Sequence, residues 1–308
     1  MEVWEELAAV PPAFQGGIMA LGTFDGLHLG HQQVIRRALE WAARESRPGL
    51  ALTFRNHPLS VIAPARAPRC IETAAARREV LERLGVDFLI ELTFTAALAA
   101  LPAGDFLRLL TDTAAPAGLV VGENFSFGAG RGGTSAFLRE AAPRYGLRTE
   151  ICPLTMLDGE IVSSTRIRSL IAAGDLRAVN DLLGRPFAVT GEVQHGDARG
   201  HRLGFPTANL PLAPDWAMLP QGAYAVRARF EGHDRFGIAN IGNNPTFDGK
   251  ESRLEIHLFD YAGDLYGVRL KVLFIERLRE ERHFGSMDEL RRQLCDDETR
   301  ARKIFHLQ

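Results

Sequence analysis

The run Ile18-Met19-Ala20-Leu21-Gly22-Thr23-Phe24-Asp25-Gly26-Leu27-His28-Leu29-Gly30-His31 organises the reading of this 308-residue chain. Ile18 to Phe24 is small and apolar, the mark of a buried strand. Asp25-Gly26 makes a tight turn. His28 and His31 then stand three residues apart, where the helical pattern Gln32 to Arg44 begins, so both imidazoles fall on one helix face. A helix start leaves backbone N–H groups free to attract anions. Histidines there add directed donors to a phosphoryl oxygen, and Gly30 lets a ligand approach the backbone. Phosphate or nucleotide chemistry is therefore the leading expectation. The bland alternative is one capping and one surface histidine.

Outward from this run, strand and helix patterns alternate. Strands are expected at Leu50–Phe54, Val86–Leu92, Leu119–Val121 and Arg148–Cys152, and helices at Ala74–Leu84, Asp105–Leu110 and Ser135–Ala142. The Ala96–Ala100 run reads as a helix or a small-residue loop. Such alternation predicts an α/β architecture, a mainly parallel sheet with helices on both faces. Helical stretches Arg166–Ala172 and Leu176–Leu183 close this half. Beyond Gly184 come closely spaced strands, Phe187–Val193, Tyr224–Phe230, Phe236–Ile241, Arg253–Phe259 and Val268–Phe274, then a helix over Met287–Phe305. That pattern fits a small barrel or sandwich. Two domains are expected, 1–183 and 184–308.

Composition narrows the class. The chain is 46% hydrophobic and 24% charged, as in globular proteins, and its formal net charge of −2 argues against a broad grip on nucleic acid. Cys70, Cys152 and Cys295 lie far apart, which speaks against a zinc site or a disulfide framework. The acidic start Met1-Glu2-Val3-Trp4-Glu5-Glu6 lacks a signal peptide's basic region, and no apolar run is long enough to span a bilayer. A cytoplasmic protein with no membrane partner is expected, with room for a weak homo-oligomer.

Two further segments bear on the first half. Val121-Gly122-Glu123-Asn124-Phe125-Ser126-Phe127-Gly128 leads into the glycine-rich Ala129-Gly130-Arg131-Gly132-Gly133. Ser163-Ser164-Thr165-Arg166-Ile167-Arg168 opens a helix with hydroxyls and arginines, groups that suit a triphosphate. The second half has its own constellation. Gly191, Gly196, Arg199 and Gly204 supply a loop able to point N–H groups at phosphates. After Pro206, Thr207 and Asn209 lie two apart, so in an extended segment both face one way and offer oxygens to Mg²⁺ beside ATP. Glu255 alternates with apolar neighbours and can accept a proton from a substrate hydroxyl. No Gly-x-x-x-x-Gly-Lys-Ser/Thr loop and no protein-kinase His-Arg-Asp motif occurs.

Taken together, Gly22 to His31, Phe54 to Pro58, Val121 to Gly128 and Ser163 to Arg168 resemble the adenylyltransferase module of the bacterial bifunctional riboflavin kinase/FAD synthetase family. Gly191 to Asn209, Gly222 to Val226, Asn240 to Phe247, Glu255 to Asp260 and Leu265-Tyr266-Gly267 resemble its riboflavin kinase module. The resemblance implies a Rossmann-like nucleotidyltransferase domain followed by a small antiparallel β-barrel with a C-terminal helix. It implies ATP and Mg²⁺, with riboflavin, FMN and FAD as substrates and products. His28, His31 and Arg166 would act on the ATP phosphates, Asn124 would lie near nucleotide and metal, and Ser163, Ser164 and Thr165 would hold the phosphates. Gly22, Phe24 and Asp25 would shape that site. Thr207 and Asn209 would hold Mg-ATP, with Glu255 the base toward the riboflavin 5′-hydroxyl. Asn56 departs from the proline common before His57, and Ser126 from the basic residue frequent between the two phenylalanines. A different adenylyl or cytidylyl acceptor, such as pantetheine phosphate or nicotinamide mononucleotide, and a non-catalytic flavin or nucleotide sensor are the competing readings.

Overall fold

The structure, a computed structural model, describes residues 1–6, 10–195, 205–246 and 249–307. The chain forms two compact units, Met1–Ser164 and Thr165–Gln308.

In chain order the first unit holds β1 (Glu2–Trp4), β2 (Ile18–Leu21), α1 (Leu29–Arg44), β3 (Gly49–Phe54), α2 (Leu59–Ile62), α3 (Ala74–Leu84), β4 (Phe88–Leu92), α4 (Ala96–Ala100), α5 (Ala103–Thr113) and β5 (Gly118–Gly122). A hairpin of β6 (Ser126–Phe127) and β7 (Gly133–Thr134), then α6 (Ser135–Ala141), β8 (Arg148–Cys152) and a hairpin of β9 (Met156–Leu157) and β10 (Glu160–Ile161) complete it. The main sheet runs β1-β4-β3-β2-β5-β8 with every pair parallel. Period-2 alternation sends β2 side chains to two cores. Met19 and Leu21 join Leu50, Leu52, Phe106, Leu107 and Leu138 on one face. Ile18 and Ala20 join Val34, Ile35, Ala38, Val80 and Leu81 on the other. Helices thus cover both faces, which explains the near-continuous apolar reading of these strands. The chain winds from β2 to β3 and β4, then crosses back through α5 to β5 on the far side of β2. The winding reverses between β2 and β5, and ligands bind in the crevice beyond the carboxyl ends of strands at such a reversal. The opening run leaves β2 at that point.

The second unit carries α7 (Ser164–Ala173), α8 (Leu176–Leu183), β11 (Ala188–Glu192), β12 (Ala208–Pro211), β13 (Gly222–Phe230), β14 (His233–Thr246), β15 (Gly249–Leu258), β16 (Arg269–Glu280) and α9 (Met287–Ile304). Its strands form an antiparallel sheet ordered β11-β16-β13-β14-β15-β12. Past the end of β11, the Gln194 N–H donates to the Asn209 carbonyl at 2.9 Å, and this bridge brings the two edges together. The result is a nearly closed barrel, the barrel rather than the sandwich of the two expected options. Gly222, at φ 149°, lets the start of β13 press against the Arg279 carbonyl, where a side chain has no room. Helix α9 lays Leu294, Ala301 and Ile304 on Ala223, Ala225, Ile238 and Leu278. Helix α8 packs with this barrel. Asn180 accepts from Phe187 N–H at 2.7 Å and donates to the Phe274 carbonyl at 3.2 Å. Among the described residues, no helix is long and apolar enough to cross a membrane. Cys70, Cys152 and Cys295 are free thiols.

Candidate functional site

The loop from Gly22 to His28 turns sharply. Phe24, Gly26 and Leu27 all adopt positive φ, 50°, 81° and 37°. Two of these are not glycine, so the loop is held in a conformation L-residues avoid. A Cβ at Gly22 would lie 2.6 Å from the Phe24 ring, so only glycine lets that ring fold back into the core. Asp25, buried, accepts the Ile71 N–H at 3.0 Å, and its carbonyl accepts the Ser164 hydroxyl at 2.9 Å. The Leu27 carbonyl accepts from Gln32 Nε2 at 2.8 Å.

His28 is the N-cap of α1, its Nδ1 accepting the His31 N–H at 3.3 Å. An accepting nitrogen carries no proton, so the imidazole hydrogen sits on Nε2 and makes that atom a donor. The His28 and His31 rings stack at 3.7 Å between centroids, and Phe24 meets His31 edge-on at 5.4 Å. Gly30 lies against the His28 ring, and its hypothetical Cβ would stand 3.2 Å from Cε1. The pair is thus a pre-aimed donor set at a helix start, at the reversal of the sheet. Such a set lowers the cost of negative charge developing on a phosphoryl group.

The other candidates of the adenylyltransferase-like half lie after β5 and at the start of α7. Asn124 follows β5, the neighbouring strand at the reversal, and is exposed. Ser163 and Ser164 are half-buried; the Ser164 hydrogen is spent on Asp25, so this hydroxyl ties the loop. Thr165 and Arg166 continue into α7, within the second unit. Both departures have structural answers. Asn56 binds Phe94 twice, accepting its N–H at 2.8 Å and donating to its carbonyl at 3.1 Å, which ties the end of β3 to the end of β4. Ser126 accepts Arg131 Nε at 2.9 Å, so a guanidinium from the glycine-rich loop is drawn to that position.

On the barrel, Glu255 pairs across the sheet with Asn209 on β12 and with Asn240 on β14. Directly opposed residues share a face, so the three form one polar row, with Leu254 and Ile256 buried on the opposite side. Glu255 is exposed, Asn209 buried and Thr207 half-buried. Asn209 Nδ2 lies 3.5 Å from the Thr207 carbonyl, which directs Oδ1 the other way. His257 Nδ1 is 2.9 Å from the Pro206 carbonyl, an acceptor, so that nitrogen holds the proton and pins the start of β12. Gly191 lies within β11, not in the loop expected of it: it pairs with Leu270 and faces the Leu210 side chain at the barrel seam. Gly196, Arg199 and Gly204 lie outside the described residues. Thr207 and Asn209 offer two neutral, hard oxygens, a set that fits Mg²⁺ delivered with phosphates and water as its remaining ligands.

Sequence reading missed Asn240, which only the cross-strand register brings beside Glu255. It also passed over Arg77 and Glu91, charged side chains buried in the first unit. The signal for Glu91 was present, a lone carboxylate inside the apolar run Phe88-Leu89-Ile90-Glu91-Leu92.

Comparison with known proteins agrees with both units. Residues 10–166 match the family described as FAD synthetase, and residues 183–305 the one described as riboflavin kinase. A protein from Escherichia coli strain K12, named bifunctional riboflavin kinase/FMN adenylyltransferase, is 36% identical over 295 residues, 95% of this chain and 94% of its own length. The protein of that name from Pseudomonas fluorescens is 37% identical over 307 residues, covering 99% of this chain and 98% of its own. A solved structure from Streptococcus pneumoniae, described as a macrolide-efflux protein, aligns with a TM-score of 0.88 at 31% identity over 98% of this chain and 99% of that one. With alignments running almost end to end, this chain belongs to the bifunctional riboflavin kinase/FMN adenylyltransferase family.

Proposed function

We propose that the chain converts riboflavin to FMN and then FMN to FAD, with one ATP consumed at each step. The first step belongs to residues 184–308. Glu255 takes the proton of the riboflavin 5′-hydroxyl as its oxygen attacks the ATP γ-phosphorus, and ADP leaves. Asn209 and Asn240, on either side of Glu255 in the sheet, orient its carboxylate. Gly191 in β11 and Pro206 before β12 border the nucleotide, and Gly196, Arg199 and Gly204 belong to the proposed set of residues that bind it. Thr207 and Asn209 would hold Mg²⁺, which supplies charge neutralisation on the phosphates when bound.

The second step belongs to residues 1–183. An FMN phosphate oxygen attacks the ATP α-phosphorus, the bond to the bridging oxygen breaks, and pyrophosphate leaves. The FMN phosphate is already ionised at neutral pH, so no general base is required. His28 Nε2–H, His31 and Arg166 offset the charge that builds on the transferred phosphoryl group. Asn124, Thr165 and the N–H groups at the start of α7 bind the nucleotide, while Gly22, Phe24, Asp25, Ser163 and Ser164 keep the loop in shape. The enzyme acts in the cytoplasm on small molecules, without nucleic acid or membrane, as a monomer or weak homo-oligomer.

The observation that carries this reading is the presence in one chain of two separate constellations, the stacked histidines at the sheet reversal and the Asn209–Glu255–Asn240 row on the barrel. Pure protein incubated with riboflavin, ATP and Mg²⁺ yields FMN and FAD on chromatography; the absence of both sinks the proposal. Glu255→Ala blocks the first product and spares conversion of supplied FMN, and His28→Ala does the reverse.

A further inference from the structure

The buried polar residues of the first unit converge on one loop. Asp25, His28, Gln32, Thr53, Arg77 and Glu91 are all less than 10% exposed, and Thr53 and Glu91 are fully buried. The Thr23 carbonyl accepts two hydrogen bonds, from Thr53 Oγ1 at 2.8 Å and from Arg77 Nη1 at 3.3 Å. Arg77 also donates from Nη2 to the Arg55 carbonyl at 3.5 Å, just past β3, and stands 3.6 Å from Glu91 Oε1 on β4. Glu91 in turn accepts Arg78 Nε at 2.8 Å. One guanidinium therefore ties together the carboxyl ends of β2, β3 and β4.

We propose that the buried Arg77–Glu91 pair, with Thr53, is a positioning unit for adenylyl transfer: it grips the Thr23 carbonyl and keeps the strained Phe24–Leu27 turn in the shape that aims His28 and His31. The inference rests on the adenylyltransferase reading above. Its physical basis is the strain itself. Positive φ at Phe24 and Leu27 persists only where the surroundings over-determine it. The ties at Asp25 and Leu27 hold the far side of the turn; Thr53 and Arg77 hold its near side. Burying an arginine and a glutamate is costly, and a core of apolar side chains would pack this end of the sheet without them. Their placement beneath the turn accounts for their presence. Releasing the Thr23 carbonyl lets Phe24 and Leu27 relax toward negative φ, and the turn then delivers His28 in a different orientation. Neither Arg77 nor Thr53 needs to touch the nucleotide.

The experiment uses the full chain. Thr53→Val removes one donor at almost constant volume, Thr53→Ser keeps it, and the double variant Arg77→Met/Glu91→Gln removes the two buried charges together, while Arg78, which also binds Glu91, keeps Glu5 as its carboxylate. Three readouts are taken: FAD formation from FMN and ATP, riboflavin phosphorylation by the same sample, and the imidazole ¹⁵N signature of His28, assigned by its loss in His28→Ala. The expected result is a fall of about tenfold or more in kcat for FAD formation in Thr53→Val and in the double variant. Riboflavin phosphorylation stays within about twofold in both, because the barrel site is separate. The Nε2–H tautomer of His28 gives way to a mixture, and Thr53→Ser behaves as wild type. A folded Thr53→Val and double variant with the wild-type rate and an unchanged His28 signature would overturn the proposal. The same holds for a rate that drops only in proportion to the unfolded fraction. If wild-type protein made no FAD, the function proposed above would fail. The imidazole signature would still decide whether Thr53 and Arg77 set the histidine geometry.

Discussion

Gly30→Ala separates the stability of α1 from the geometry of the site. Gly30 is the second residue of that helix, and alanine is favoured over glycine in a helix interior by up to about 1 kcal/mol. Its new methyl group would stand 3.2 Å from His28 Cε1, 3.3 Å from His28 Nδ1 and 3.5 Å from Thr155 Oγ1. Carbon pairs prefer about 3.5–4.0 Å, so the ring must retreat by roughly 0.3–0.5 Å to reach the near part of that range. It cannot do so freely, because the ring also stacks on His31. A misplacement of 1 Å costs on the order of 10²-fold in rate, about 2.7 kcal/mol. Scaled linearly, the retreat costs about 0.8–1.4 kcal/mol, or roughly four- to tenfold in FAD formation. Helix propensity and steric repulsion oppose each other, so stability moves by no more than about 1 kcal/mol in either direction. Steady-state rates of FAD formation, with riboflavin phosphorylation and thermal unfolding on the same sample, check this. An adenylyl-transfer rate equal to wild type would show that the ring has slack and that Gly30 is not what admits it.

Three other perturbations follow from particular contacts. Glu45 is held down to about 2, first by its hydrogen bonds from Arg148 and then by Trp41 Nε1–H. Its folded carboxyl is the more acidic state, so its contribution is present above about pH 4–5 and fades as pH falls toward 2. Arg148→Ala should return the Glu45 titration toward the usual carboxylate range; an NMR titration still centred near 2 would contradict the assignment to Arg148. Burial pushes the Cys152 thiol up to about 11, with the Glu150 charge adding to the effect. At pH 8 a thiol reagent followed by peptide mapping should label the exposed Cys295 and leave Cys152 unmodified in native protein. Asp297, buried on α9, accepts Arg279 Nε at 2.9 Å and Gln293 Nε2 at 2.9 Å. Asp297→Ala should destabilise the barrel by about 3 kcal/mol, because it strands the Arg279 charge; a midpoint of denaturant unfolding equal to wild type would refute that.

Elements whose role is written into local pattern were legible from sequence. The β2–turn–α1 run declared itself because a buried parallel strand is continuously apolar and the capping histidine is adjacent in sequence. Helix α9 was placed to within a residue by its periodicity, ending at Ile304 where Phe305 was expected. Short pieces were not legible. β1 spans only Glu2–Trp4, too few residues for alternation to show, and it exists because β4 offers it an edge. Four strands of the barrel, β13 to β16, are longer than expected, while β11 is shorter and β12 was not expected at all; β14 reaches from His233 to Thr246, since pairing with β15 carries it through polar residues that hydropathy alone would end. The same limit governed the site. Glu255 was visible as a carboxylate alternating with apolar neighbours, whereas Asn240 became its companion only through register. Arg77 looked like any basic residue in Ala76-Arg77-Arg78-Glu79. Only the approach of α3 to the strand ends shows that it is buried.

The barrel seam has a consequence for how the kinase unit responds to its substrate. β13 and β16, and β14 and β15, are zipped along most of their length, whereas β11 and β12 meet through the Gln194–Asn209 bridge among the described residues. An edge joined at one rung opens at lower free energy than the ladders beside it. Asn209 supplies that rung with its backbone, and its side chain is one of the groups proposed above to bind the nucleotide. A bound nucleotide therefore works as a removable fastener, tightening the barrel where its own lacing is thinnest. The Gln194 amide becomes a natural gauge of occupancy, its hydrogen exchange slowing as the site fills.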